Sequence, residues 1–198
     1  MRSSSRLNSY RHAGFVALAF ACARASASSD PEIRDNVEYR DIRGNSVAAL
    51  VASLDRLAIA DTEGHRFYGN THWELRWNFR VESDGGDCSI SFVDVDLDVR
   101  TTLPRWTPPP LAHKDLVNRW NTFSKALKTH EDGHRAIAIE AAREIANRIG
   151  KTAPTRDCER MKQTIGNLAD RIMRDYKLKE RRYDESTDHG RRQGAVFP

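Results

Sequence analysis

The sequence predicts an α+β domain, with a small antiparallel sheet followed by two long packed helices. Three observations carry that expectation. Residues 73–82 alternate strictly between apolar and polar side chains, as a half-buried strand does. The prolines of "PRWTPPP", residues 104–110, then close the sheet region, because proline brings no N–H to a ladder. Beyond them, apolar residues recur at helical spacing. A chain of 198 residues, 39% of them hydrophobic, has room for one packed domain and hardly for two.

The first residues read differently from the rest. Arg2, Arg6 and Arg11 precede an apolar run from Ala13 to Ala23, and Ala25-Ser26-Ala27 offers an A-x-A cleavage site. That is the layout of a secretory signal peptide over residues 1–27, with an apolar run too short to span a bilayer. The remainder divides into a single domain, 28–190, and a charged C-terminal tail, 191–198. The mature chain is therefore expected to be periplasmic or secreted, with no membrane span. The leader holds four arginines and no acids, so the formal charge of +4 belongs to it and leaves 28 basic against 28 acidic residues. A basic chain would suggest nucleic acid; the neutral mature chain removes that suggestion.

Without Cys22, two cysteines remain, Cys88 and Cys158. In an oxidising compartment such a pair is expected to form a disulfide, constraining the unfolded chain by about 3–5 kcal/mol. Two separate buried thiols are the alternative.

The elements follow in order. "VEYRDIRGNSVAALVASLDRLA" reads as a strand, a turn at Gly44-Asn45 and a helix capped by Ser46. "SDGGD", 83–87, turns the alternating strand into a hairpin. The return strand has Cys88, Ile90 and Phe92 in one phase but Val95, Leu97 and Val99 in the other, so a β-bulge is expected near Val93-Asp94. Asp94, Asp96 and Asp98 lie on its polar face without a glycine-turned loop, which argues for a solvated face over calcium. Leu116, Trp120, Phe123 and Leu127 begin the first long helix; Met161, Ile165, Leu168, Ile172 and Tyr176 stripe the second.

The first long helix leads into "KTHEDGHRAIAIEAAREI", residues 128–145. His130 and His134 are four apart and share a helical face, so both imidazoles can reach one zinc ion at about 2.0–2.1 Å. Glu131, beside the first histidine, is placed to take a proton from a metal-activated water as that water attacks a carbonyl. This is the spacing of a zincin-like active-site helix. Gly133 costs such a helix about 1 kcal/mol relative to alanine, which reads as room kept beside a metal or substrate. "RAIAIEAAREIANRI" after it makes a buried, rigid mount. A solvated helix whose histidines flank a salt bridge is the plainer reading.

A catalytic zinc needs a third protein ligand. The position six residues past His134 is Glu140, not histidine, and His65, His72, His113 and His189 remain. His189, in "YDESTDHG", is the favoured third ligand, on the expectation that the chain beyond the second helix folds back to the site; Glu185 and Asp188 are the carboxylate alternatives. Tyr183 is either an oxyanion donor or an anchoring aromatic.

Together, "VEYRDIRGNSVAALVASL", the tryptophan-bearing hairpin, "HEDGHRAIAIEAAREI" and "YDESTDHG" resemble a bacterial family of predicted secreted zinc-dependent proteases, a domain-of-unknown-function family, over about Val37 to Gly190. The resemblance implies that His130, Glu131, His134 and His189 match its metal and catalytic positions. It supplies no substrate.

The sequence thus reads as a secreted or periplasmic zinc metallopeptidase. His130, His134 and His189 hold zinc, Glu131 is the general base, Tyr183 is the oxyanion donor, and a peptide or protein is the substrate. A zinc amidase or deacetylase acting on cell-wall material is one rival. A non-enzymatic, disulfide-bonded envelope binding module is the other.

Overall fold

Strand β1 (Glu32–Ile42) is followed by helix α1 (Val47–Leu57), whose first turn is closed by the Ser46 hydroxyl accepting from the Ala49 N–H at 3.3 Å. A two-residue ladder, β2 (Ile59–Ala60) with β3 (Arg66–Phe67), leads to the long hairpin of β4 (Asn70–Asp84) and β5 (Asp87–Trp106). Two helices complete the chain, α2 (Lys114–Gly150) and α3 (Cys158–Thr187), and a short 3-10 turn at Arg191–Gln193 follows. This computed structural model describes residues 30–60 and 66–197. The expected signal peptide lies outside the described residues.

The architecture is the expected α+β arrangement, but the sheet is mixed. Its order is β1-β5-β4, with β4 antiparallel to β5 and β1 parallel to it. The chain leaves β1 through α1, forms β4 at the far edge, and returns along the middle as β5. Two further details differ from expectation. The bulge lies opposite Arg80/Val81, where Ser91 is the extra residue. Phe92 is thereby turned to the outer surface, where the Arg80 guanidinium covers its ring at 5.7 Å. The sheet also continues past Pro104 to Trp106, paired with β1 alone; a proline is tolerated where one side of the strand has no partner.

The outer face of the sheet is ionic. Asp98 on β5 accepts from Arg34 of β1 at 2.7 Å and pairs with Arg76 of β4, while Asp96 takes a second Arg34 nitrogen at 3.2 Å. The aspartate row thus spends its charge on cross-strand arginines.

The inner face meets α2 and α3 in two apolar clusters. One joins Val93, Val95, Leu97 and Val99 to Ala138, Ala142, Ile145 and Ile149 of α2 and to Met161, Ile165 and Ile172 of α3. The other joins Ile42, Leu50, Leu54 and Trp106 to Leu116, Trp120, Phe123 and Leu127 of α2. Helix α2 therefore serves both clusters, and its residues 128–136 lie between them.

Cys88 and Cys158 form the expected disulfide, with Cα atoms 5.3 Å apart. It pins the start of α3 to the start of β5, beside an isolated backbone bridge in which Thr155 N–H donates to Cys88 O at 3.1 Å. Helices α2 and α3 run antiparallel, as Lys179 pairs with Glu140 and Tyr176 with Glu144. Among the described residues no helix is long and apolar enough to cross a membrane. The disulfide is compatible with a secreted or periplasmic protein.

Candidate metal centre

The polar stretch between the two clusters of α2 holds His130, Glu131 and His134. His130 and Glu131 are among the few buried polar residues, 5% and 3% exposed. The one-turn spacing sets the two imidazoles edge to face, with planes 87° apart, and their Nε2 atoms come within 3.3 Å. From α3, Asp184 brings Oδ1 to 3.0 Å from His134 Nε2 and 3.3 Å from His130 Nε2. These three residues form a possible metal-binding triad, with ligand atoms all within 4.8 Å of one another.

Their orientation is enforced from behind. His130 Nδ1 lies 3.0 Å from Gln193 Oε1, and His134 Nδ1 lies 3.2 Å from Glu180 Oε1. An imidazole that donates Nδ1–H outward presents an Nε2 lone pair, which is how outer partners prepare a metal ligand. Burial works against charge on His134, but hydrogen bonds to Asp184 and Glu180, with their charges, raise its imidazolium to about 10. Burial would raise Asp184 as well; hydrogen bonds to His130 and His134 hold it well below the usual carboxylate range instead.

Glu131 sits beside the triad and not within it. The Thr71 hydroxyl, at the start of β4, donates to Glu131 Oε2 at 2.8 Å. A Cβ on Gly69 would stand 2.7 Å from Glu131 Oε1, so glycine allows the chain entering β4 to approach the carboxylate. Burial pushes the Glu131 carboxyl above its ordinary range, against the Thr71 hydrogen bond and the charges of His134 and His130.

The space that Gly133 leaves is filled by Tyr183 of α3, not by room for a metal or substrate. The Tyr183 ring stacks on His130, with centroids 5.1 Å apart and planes 11° off parallel. Its hydroxyl donates to the His130 carbonyl at 3.1 Å. The phenol's hydrogen is thus turned onto α2, and Tyr183 does not border the cavity beside the triad. Tyr183 is thus engaged with His130 by both its ring and its hydroxyl.

The expected third ligand is also placed differently. Helix α3 continues to Thr187, so Tyr183 and Asp184 belong to its last turns and not to a returning segment beyond it. His189 follows in left-handed backbone, φ 48°. Its Nδ1 is 3.8 Å from Asp184 Oδ1 and its ring packs against Phe67 at 4.9 Å. It borders the cavity, and Asp184 is the residue that completes the possible triad. Asp184 was missed although the stripe through Ile172 and Tyr176 continues at helical spacing to Glu180 and Asp184. His72 is exposed on β4, and His113 caps α2.

A cavity of about 710 Å³ opens onto the triad. His134, Glu131 and Asp184 line it on one side, and Phe67, Tyr68 and Phe197 contribute apolar wall. The arrangement can hold a cation on two imidazoles and one carboxylate, next to a buried carboxylate facing open space.

Neither the curated proteins nor the solved structures contain a match to this chain. A family model described as bacterial protein of unknown function (DUF922) matches residues 37–190, a span that includes His130, Glu131, His134 and Asp184. The chain belongs to that bacterial family, DUF922.

Proposed function

We propose that the protein is an exported zinc-dependent hydrolase, acting as a metallopeptidase on peptide or protein substrates. The observation that carries this reading is the convergence of three donor atoms beside a buried glutamate in an open cavity. The separations of 3.0–3.3 Å among His130 Nε2, His134 Nε2 and Asp184 Oδ1 suit a small tetrahedral divalent ion, and we take it to be zinc. A tetrahedral ion with bonds of about 2.0–2.1 Å spaces its ligands by about 3.3 Å. Two histidines and one carboxylate also form the donor set of a catalytic site that keeps one position open.

Zinc in such a site supplies Lewis acidity toward a carbonyl oxygen and acidity to water. The rest falls to the chain. Thr71 holds Oε2 of Glu131, and Oε1 is the oxygen that would accept a proton from an attacking water. Burial raises the carboxyl's proton affinity, which suits a general base working near neutral pH. Glu180 and Gln193 keep the two imidazoles aimed. The signal-like leader and the Cys88–Cys158 disulfide support export.

The test is Glu131→Gln in the mature chain, assayed with a peptide library and purified peptidoglycan. Zinc content is expected to persist while hydrolysis falls by about 10²–10⁴-fold, the usual share of general base catalysis. Unchanged turnover would remove Glu131 from the mechanism. Cleavage confined to peptidoglycan would move the substrate from proteins to cell-wall material.

A further inference from the structure

Helix α3 ends at Thr187, three residues before Gly190, yet the chain does not leave the site there. Gly190 has φ 81°, and a Cβ on it would stand 2.9 Å from His130 Cγ, so the backbone passes directly against the imidazole. The next residues form a tight turn: Gln193 N–H and Ala195 N–H both donate to Gly190 O at 3.0 Å, and Gly194 N–H donates to Arg191 O at 3.0 Å. Phe197 then plunges into the second apolar cluster, 7% exposed, with ring centroids 5.8 Å from Trp120 and 5.3 Å from Phe123. The segment read from sequence as a charged tail is a strap closed over the His130 end of the triad.

Gln193 is the side chain that this strap delivers. Its Oε1 lies 3.0 Å from His130 Nδ1, and its Nε2 donates to the Tyr183 hydroxyl at 3.1 Å. Tyr183 in turn donates to the His130 carbonyl at 3.1 Å. One amide therefore grips both the ring and, through Tyr183, the backbone of the same histidine. The amide carries an acceptor and a donor on one carbon, so it makes both bonds at once, and the acceptor at Nδ1 is the one that sets the His130 tautomer. Thr187 Oγ1 is 3.5 Å from the same Nδ1 but donates to Tyr183 O at 2.8 Å, leaving Gln193 as the closer partner.

We propose that Gly190–Phe197 is part of the metal centre, with Gln193 the positioning residue for His130 and Phe197 the anchor that holds the strap in place. The inference rests on the metal reading above. It goes beyond that reading because Gln193 and Phe197 lie past residue 190, where the family match ends. The physical basis is tautomer control: an acceptor at Nδ1 keeps the proton there and the Nε2 lone pair directed toward the ion. Outer partners of this kind typically carry about 10–100-fold in metal affinity. Gln193 is exposed to water that competes for the same nitrogen, so the low end of that range is expected.

The experiment measures the zinc dissociation constant of the mature chain by competition with a chromophoric chelator, alongside the melting temperature of the metal-free protein. Gln193→Leu is expected to weaken zinc binding by about tenfold. Gln193→Glu keeps the acceptor oxygen and is expected to bind within a few-fold of the wild type. Arg192→Ala, an exposed strap residue bonded to Ser186 O, is expected to match the wild type. Phe197→Ala, which frees the strap without removing a polar group, is expected to weaken zinc as Gln193→Leu does, and it decides the matter if Gln193→Leu does not fold. Wild-type affinity in Gln193→Leu or in Phe197→Ala overturns this inference and leaves the metal site standing. A wild-type protein that takes up no zinc overturns both. Equal losses in Gln193→Leu and Gln193→Glu would show that the strap matters only as packing and would overturn the positioning role.

Discussion

The phenol of Tyr183 occupies the space that a side chain on Gly133 would need. Helix propensity favours alanine over glycine at an interior position by about 1 kcal/mol. Overpacking a site that cannot relax costs about 1–3 kcal/mol, and Tyr183 is held at both His130 O and Gln193. Gly133→Ala is therefore expected to lower stability by on the order of 1 kcal/mol, a fall of about 2–4 °C in melting temperature. A higher melting temperature in calorimetry would mean that Tyr183 swings aside at little cost.

Asp184 and His189 make opposite predictions. Asp184→Ala removes an atom 3.0 Å from His134 Nε2, and zinc affinity is expected to fall by more than the about 10–100-fold that outer partners carry. His189→Ala removes a ring that packs on Phe67 at the margin of the site, and zinc affinity is expected to stay within a few-fold. The reverse order in a chelator competition would return the third position to His189.

In the metal-free protein His134 keeps its proton up to about 10, well above the usual value of about 6.5. Its contribution to stability is thus complete below about pH 6.5 and lost as pH rises through the folded value. Zinc must displace that proton, so binding near neutral pH is expected to release about one proton per ion. Titration calorimetry in two buffers of different ionisation heat reads this directly; buffer-independent heats would contradict it.

The Cys88–Cys158 bridge closes a 70-residue separation. Loop-closure entropy for that length corresponds to about 4 kcal/mol. Denaturant unfolding with and without reductant is expected to show a loss of that size, with α3 loosening from the β5 end first. No change in midpoint would mean that the neighbouring packing holds α3 unaided.

What was legible in the sequence was local. The His130–His134 spacing, the Ser46 cap, the hairpin turn and the cysteine pair each depend on a few neighbouring residues or on compartment chemistry. What was missed depends on how elements meet. Asp184 reaches the triad through the register of α3 against α2, 50 residues away in sequence. Reading "YDESTDHG" as a segment beyond the helix hid that register, because Asp188, in left-handed backbone, ends α3 later than expected. The parallel pairing of β1 has no local signature either, since strand polarity is set by the route through α1. The bulge was sensed from the change of phase but misplaced, because Phe92 was assumed to face inward.

Helix α2 belongs to two separate apolar clusters, and the triad's histidines stand in the gap between them. Replacing His130, Glu131 or His134 consequently opens no hole in either cluster. A variant at these positions is expected to keep the native fold, which its circular dichroism and melting temperature would show. The seam thus suits this protein to trapping experiments, in which an inert copy would retain any substrate of the proposed hydrolase.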